Sequence, residues 1–352
     1  MDTLARCDSI GAMPSAAQAL FGNPGGRHLF TSRPWFETFV SAGLGQGAEP
    51  LFLVLGGDVN IKAVLPCLRP SSGVATITGL TSFYSCEFRP LIAPGADASV
   101  TAFILGRTVS QEFRRHPVIG FDSLDLARIE TAGFIAGLKR PGRALLRYAH
   151  FGRWREDVTD RPFADYMAAR GGALREVVRR KGARLQREGA ALTMIGADAD
   201  DETVEQGIAA YETVYAASWK EPEPFPDFQP ALMRNLARAG WLRLALCHVG
   251  GKPVAAQLWA LVGGTATVLK LAHDQAFDAH SPGTVLTHFA IGRMMERETV
   301  QTLDFGRGDD PYKAGWTTTR TQHFGVLSVD IAKRPAMVAR HLLGELTRRL
   351  RR

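Results

Sequence analysis

The stretch that most constrains this chain runs from residue 265 to residue 316. An apolar, β-branched run at 265–272 reads as a buried strand. A loop at 274–280 follows, and then Ser281-Pro282-Gly283-Thr284. Behind these four residues Val285, Phe289, Met294 and Met295 recur roughly at helical period. Ser281 therefore stands as an N-cap, Pro282 suits a first helical turn, and Gly283 permits close approach. The first-turn amides of such a helix have no internal partner and its dipole favours negative charge, so a phosphate or pyrophosphate is the natural guest. A second buried strand at 302–305 and the polar loop Gly306-Arg307-Gly308-Asp309-Asp310-Pro311-Tyr312-Lys313 complete the stretch. Two neighbouring strand ends with a helix N-terminus between them make a candidate reaction centre.

The order of elements before this stretch is found twice. A hairpin at 242–249 and 254–262 turns on Gly250-Gly251-Lys252; an earlier one at 51–55 and 61–68 turns on Gly56-Gly57-Asp58. In the first half, strands at 75–78 and 88–92, Pro94-Gly95, a helix at 99–114 and a strand at 118–124 follow. The two Pro-Gly loops differ in one respect. Asp97 follows the first and would place a carboxylate on the helix amides that a pyrophosphate needs, whereas the second has no acid there. The phosphorylated ligand is therefore expected in the second half, and the first is expected to be structural or to shape an acceptor cleft.

This order of hairpin, strand, SPGT loop, helix and strand, followed by a GxGDxPYKxxW segment, resembles the GNAT acyltransferase superfamily. The similarity is to its double-domain branch, the acetyltransferase-like proteins found with bacterial cellulose and exopolysaccharide genes and related to the Fem peptidyltransferases. It runs from about residue 166 to residue 330. Where a typical superfamily member carries Q/R-x-x-G-x-G/A, this chain has Ser281-Pro282-Gly283-Thr284, with one glycine. The resemblance implies an α/β fold of two tandem GNAT-like domains, each with a mixed sheet. Residues 1–150 would be a non-catalytic first domain, 151–335 the acyltransferase domain and 336–352 a basic amphipathic tail. It implies acyl-CoA, acetyl-CoA or longer, as co-substrate, with its pyrophosphate on Ser281, Gly283, Thr284 and Val285. The strand ending at His273 would supply a backbone N–H to the carbonyl.

Acyl transfer needs a base for the acceptor proton and an acid for the leaving thiolate. His273 and Asp274, at the end of the strand, are the candidates for the base, and a histidine titrates in the useful range. His273 merely closing the strand end is the competing reading. Tyr312 is the candidate acid. Lys313 would bind an acceptor carboxylate or phosphate, and Asp304 and Asp309 would orient an acceptor amine, although acids in such a loop also serve turn chemistry. No metal is expected: the sequence has no HExxH, DxDxDG, GxSxG or GxxxxGK[ST] motif, and His273, His280 and His288 are unevenly spaced.

Composition bounds the rest. The 45% hydrophobic and 22% charged fractions suit a globular chain, and 352 residues suffice for about two domains. Cys7, Cys67, Cys86 and Cys247 form no CxxC pair, so reduced thiols are expected. No continuous apolar span or signal sequence is legible, which fits a cytoplasmic protein, peripheral at the inner membrane if its tail binds lipid. Residues 1–27 read as a loose segment, and Trp35, Phe36 and Phe39 as a core stripe on a helix at 29–42. Short elements are expected at 191–195, 204–219 and 232–239, with a rigid Glu221-Pro222-Glu223-Pro224-Phe225-Pro226 loop between the last two.

The net charge of +7 is concentrated. Lys139–Ala190 carries fourteen basic residues against six acids, and 331–352 seven against one, so the remainder is acidic. Residues 170–187 form a basic amphipathic helix with Leu174, Val177, Val178 and Leu185 on one face. The tail repeats apolar residues at 338, 342, 346 and 350 and could lie on an anionic membrane. The expected activity is an acyl-CoA-dependent N- or O-acyltransferase acting on a sugar or amino-sugar of an envelope or exopolysaccharide precursor. Its rivals are a Fem-like transferase taking aminoacyl-tRNA and an idle accessory subunit of polysaccharide synthesis.

Overall fold

The computed structural model describes residues 3–22, 28–57 and 60–350, with side chains to residue 344. Two compact units divide the chain. Unit 1 comprises Met1–Val40, Leu44–Gly152 and Gln322–Arg352; unit 2 comprises Ser41–Gly43 and Arg153–Thr321. Residues 322–330 lie in unit 1, where the strand they form pairs antiparallel with residues 118–124.

Unit 1 opens with β1 (Leu4–Cys7), α1 (Ser15–Gln18), α2 (Arg33–Ala42) and the hairpin β2 (Glu49–Gly56) and β3 (Ile61–Arg69). Its opening segment is not loose. β1 pairs with β2, and Ile10, Met13, Ala17, Leu20 and Phe21 are buried, anchors too few and too irregular to show a period. Residues 1–2 and 23–27 of the segment expected to be loose, and Asp58 of the first hairpin turn, lie outside the described residues. α2 begins later than expected because Leu29–Thr31 forms a short turn and the Ser32 hydroxyl accepts from the Trp35 amide. Trp35, Phe36 and Phe39 are core residues.

β4 (Ile77–Gly79), β5 (Leu91–Ile92), α3 (Ala98–Glu112), β6 (Val118–Leu124), α4 (Ile129–Gly137) and β7 (Arg143–Asp157) follow. α3 and α4 approach so closely that a β-carbon on Gly106, Gly133 or Gly137 would strike the backbone of the facing helix. β7 is 15 residues long and went unread in the sequence, because its six basic and acidic side chains mask the alternation of its apolar ones.

Unit 2 contains α5 (Phe163–Ala168), α6 (Gly172–Arg187), β8 (Ala191–Ile195), α7 (Asp201–Ala216), α8 (Phe228–Arg238), β9 (Leu242–Val249), β10 (Lys252–Val262) and β11 (Thr265–His273). A short 3₁₀ turn, Gln275–His280, leads to α9 (Pro282–Arg297), β12 (Thr302–Arg307) and α10 (Lys313–Trp316). β13 (Thr319–Asp330) then carries the chain back to unit 1, where α11 (Pro335–Leu350) ends it.

The strand order in unit 1 is β1-β2-β3-β4-β6-β13-β7, with β5 on β3. In unit 2 the order from β7 is β12-β11-β10-β9-β8. Each unit thus repeats one arrangement. A hairpin's second strand pairs antiparallel with a third, which pairs parallel with a fourth reached through a helix: β2, β3, β4, α3, β6 in one and β9, β10, β11, α9, β12 in the other. The unit 2 core gathers Tyr166, Trp259, Leu286, Ile291, Met294 and Phe305.

Arg170 leaves the basic face assigned to it. It is buried, bound to Glu156 at 2.7 Å and to the Trp316 carbonyl at 2.9 Å, so the amphipathic helix starts only at Gly172. In α11, Met337 and Val338 pack on the small cluster of Val118, Leu146 and Val329, while Leu342 is exposed. The side chains of residues 346 and 350, part of the expected tail stripe, lie outside the described residues. Among the described residues no helix is long and apolar enough to cross a membrane. Cys67, Cys86 and Cys247 are buried and form no disulfide among the described residues.

Candidate active site

The third and fourth strands of unit 2 part company. β11 pairs with β12 only from Thr265 to Thr267, although it continues to His273. Pairing between β12 and β7 also shifts between Asp304 and Arg307. The buried Asp304 holds this bend: one oxygen accepts from the Gly306 amide at 2.9 Å, and the other is ion-paired with Arg153. Gly306 has φ of 66°, a conformation that glycine adopts without strain. The result is a notch in the sheet. One edge of β11 from 268 to 273 lacks a strand partner, and α9 begins directly beyond it.

The start of α9 is open and fixed. Ser281 stands at the N-cap in a left-handed conformation, and its hydroxyl caps nothing, contrary to the role its position suggested. Its carbonyl instead accepts from the Thr284 and Val285 amides. Gln257, buried in the middle of β10, donates to the Gly283 carbonyl and to the Thr287 hydroxyl, both at 2.8 Å, and accepts from the Trp259 indole at 3.0 Å. The corresponding helix of unit 1 is closed. Asp97 caps α3 by accepting from the Val100 amide at 2.8 Å, and Gly133 of α4 lies against Ser99 in its first turn.

His273 ends β11 beside the α9 start. A β-carbon on Gly283 would sit 3.5 Å from its Nδ1. Its Nε2 meets the Asp278 carboxylate at 2.7 Å, and the Trp219 ring tilts against it at 4.6 Å. Asp274 is committed elsewhere: it caps the 3₁₀ turn through the Ala276 amide and binds Lys252 at 2.7 Å. The Lys252 contact and that amide hold its carboxyl below the usual range.

On the other side of the notch, Tyr312 precedes α10 with 41% of its surface exposed, its ring 6.3 Å from Phe305. Partial burial and, less strongly, the Asp310 carboxylate raise its pKa above the ordinary tyrosine value. Lys313 is buried, its ammonium donating to the Arg307 and Gly308 carbonyls and meeting Asp310 at 3.0 Å. It clamps the loop with its full set of donors. Asp309 accepts from Arg320 at 2.6 and 2.8 Å and from Trp154 at 3.1 Å, and these contacts lower its pKa to about 2. The structure thus brings His273, Asp278 and the α9 start together, and ties Asp304, Asp309 and Lys313 into the fold of the opposite loop.

A group missed by sequence reasoning lies beside β11. Glu223, in the proline-rich loop, accepts from the Tyr215 hydroxyl at 2.7 Å and is ion-paired with Lys270 of β11. Lys270 and Gln257 each interrupt an apolar strand, and that interruption was the available signal. Among the described residues no three His, Cys, Asp or Glu side chains are grouped to hold a metal.

Comparison with known proteins agrees with this architecture. Residues 172–314 match the family model described as Acetyltransferase (GNAT) domain. No curated protein matches the sequence. Among solved structures, FemX superposes with a TM-score of 0.61 at 12% identity, covering 91% of this chain and 96% of its own. A tandem GNAT protein from the clavulanic acid biosynthesis pathway gives 0.52 at 12% identity, covering 93% and 98%. The C-terminal domain of a putative lysylphosphatidylglycerol synthetase from Agrobacterium fabrum gives 0.57 at 10%, covering 94% and 96%. The chain therefore shares the fold of the tandem GNAT and FemX structures, and the stretch similar to a GNAT domain lies in its second unit.

Proposed function

We propose that this protein transfers an acyl group from coenzyme A to an amino or hydroxyl group of a sugar in an envelope or exopolysaccharide precursor. The observation that carries the reading is the notch between β11 and β12 with an uncapped helix start behind it. The Gly283 amide and the Ser281 hydroxyl, with Thr284 and Val285 beside them in the first turn, would take the pyrophosphate, and the unpaired β11 edge would hold the thioester carbonyl. Asp278 on Nε2 would fix the His273 tautomer, leaving Nδ1 as the proton acceptor. The acceptor proton passes to Nδ1 as the new C–N or C–O bond forms and the C–S bond breaks. The thiolate takes a proton from Tyr312, which its raised pKa keeps protonated at neutral pH; solvent restores it. Unit 1, whose matching helix is capped by Asp97, would lack a coenzyme site.

Thermal unfolding with acetyl-CoA, longer acyl-CoAs and free coenzyme A tests this. A ligand at one hundred times its dissociation constant adds about 2.7 kcal/mol to the native state. No shift with any of them refutes the reading.

A second donor, aminoacyl-tRNA, is favoured by one observation. The basic α6 lies against the loop that leads to α9, with Lys181 donating to the Ala279 carbonyl. Binding of tRNA that weakens steeply with salt would support it.

A further inference from the structure

Beside the notch, α7, α8 and the loop joining them enclose a cavity of about 420 Å³. That is within the size range of small-molecule sites, about 300–1,000 Å³. Its walls are rings: Tyr211, Tyr215, Pro222 and Pro226, with Lys220 and Gln229 among the polar lining. These surfaces suit the apolar C–H face of a sugar.

Two polar groups there are unsatisfied. Gln229 is 3% exposed, and its Oε1 has no hydrogen-bond partner. A buried acceptor without a donor costs about 1–3 kcal/mol, so a ligand hydroxyl or amide N–H would be stabilised against it. The Lys220 ammonium has neither an ion pair nor a hydrogen bond among the described residues, only the Trp219 ring 5.4 Å away. Burial and, next, the neighbouring Lys270 ammonium lower its pKa from the usual lysine value.

The cavity's other charges are countered. Glu223 is held by Lys270 and Tyr215, and Glu212 on the rim faces the charge of Arg234. Glu223 and Asp310 act on Lys220 at a distance but neither pairs with it, so an anion is the guest that would match its ammonium. The cavity also adjoins the reaction centre. The Gln275 amide donates to the Ala217 carbonyl, Trp219 lies on His273, and Lys220 senses the charges of Asp310 and Lys313.

We infer that this cavity is the acceptor site and that the acceptor is an anionic sugar, bearing a carboxylate or phosphate at Lys220 and a donor at Gln229. The inference rests on the acyltransferase reading for the word acceptor, and its test separates the two. Calorimetric titration with glucuronate, glucose 1-phosphate and neutral glucose is run on the wild type and on Lys220→Gln and Lys220→Arg. Thermal unfolding with acetyl-CoA is measured on all three.

Either anion should bind at least about tenfold more tightly than glucose, the worth of one charge-assisted contact. Lys220→Gln should abolish that preference and Lys220→Arg keep it, with the acetyl-CoA shift unchanged. Glucuronate alone marks a sugar acid and glucose 1-phosphate alone a sugar phosphate; each upholds the inference. Binding of neither anion, equal binding of glucose, or a preference that survives Lys220→Gln overturns it. Anion binding without an acetyl-CoA shift upholds the site and refutes the donor. An acetyl-CoA shift without anion binding does the reverse.

Discussion

Replacing Gln257 with leucine should cost about 1–3 kcal/mol of stability, because it strands one buried donor. The side chain makes three hydrogen bonds, to the Gly283 carbonyl, the Thr287 hydroxyl and the Trp259 indole. Their loss is not equal. The Gly283 carbonyl keeps the Thr287 hydroxyl at 2.9 Å, so it remains satisfied. The Trp259 N–H, on a side chain with no exposed surface, has no replacement. Leucine nearly fills the volume of glutamine, so no large cavity adds to the cost. Urea unfolding followed by circular dichroism measures the change, with an unaltered m-value showing that stability alone moved. A double-mutant cycle with Trp259→Phe isolates the shared bond: the cavity left by phenylalanine cancels, and a coupling of about 0.5–1.5 kcal/mol should remain. A coupling within the additivity error of about 0.3 kcal/mol would show that Gln257 does not anchor the helix start through this contact. The argument would then fail even if the single variant were unstable.

Gly283→Asp should remove the stabilisation by acyl-CoA while leaving the fold, since the new carboxylate would occupy the anion's place and face His273; a shift retained in thermal unfolding would contradict this placement. Asp309 has a pKa lowered to about 2, below the ordinary aspartate value, so its contribution is present above about pH 4 and is lost as pH falls towards 2. Arg320→Gln should flatten that part of an acid-unfolding profile, and an unchanged slope would deny the coupling. Lys313→Met leaves the carbonyls of Arg307 and Gly308 without their ammonium and should destabilise unit 2 by about 2–4 kcal/mol, seen as faster amide exchange across residues 306–313. An exchange rate equal to wild type would refute the clamp.

Periodicity made the second unit legible. The bounds of β9, the start of β12 and the start of α9 follow from apolar runs and a Pro-Gly pair, because those strands are largely buried. β7 and β13 did not show. Their burial runs irregularly from exposed to buried with no period of two, and Arg143 and Thr321 belong to pairings more than 100 residues away. The site was half legible for a similar reason. Short-range chemistry put His273 next to the α9 start. That Lys313 and Asp309 are consumed by their own loop follows from its folded path, which brings the Gly308 carbonyl and Arg320 within reach. The sequence offers Lys313 as a free cation, and only the fold removes it.

The two repeats differ in how their matching helices begin. Both units build a parallel pair with a helix across it; a Pro-Gly pair precedes α3 and opens α9. In unit 1 a carboxylate meets the first turn. Asp97 takes an amide, and three glycines let α4 settle onto α3 with backbone against backbone. In unit 2 no acid caps α9; its first turn is held from beneath by a neutral amide, Gln257, which fixes position without supplying charge. Anchoring without neutralising keeps the helix start rigid and still attractive to an anion. Asp97→Asn tests whether the cap alone closes unit 1. It keeps the oxygen that accepts from the Val100 amide but removes the charge, so the helix start becomes electrostatically like that of α9. With α4 still seated on Ser99, acetyl-CoA should bind at one site per chain, as in the wild type. A calorimetric stoichiometry near two would mean that charge, not packing, shuts the first unit.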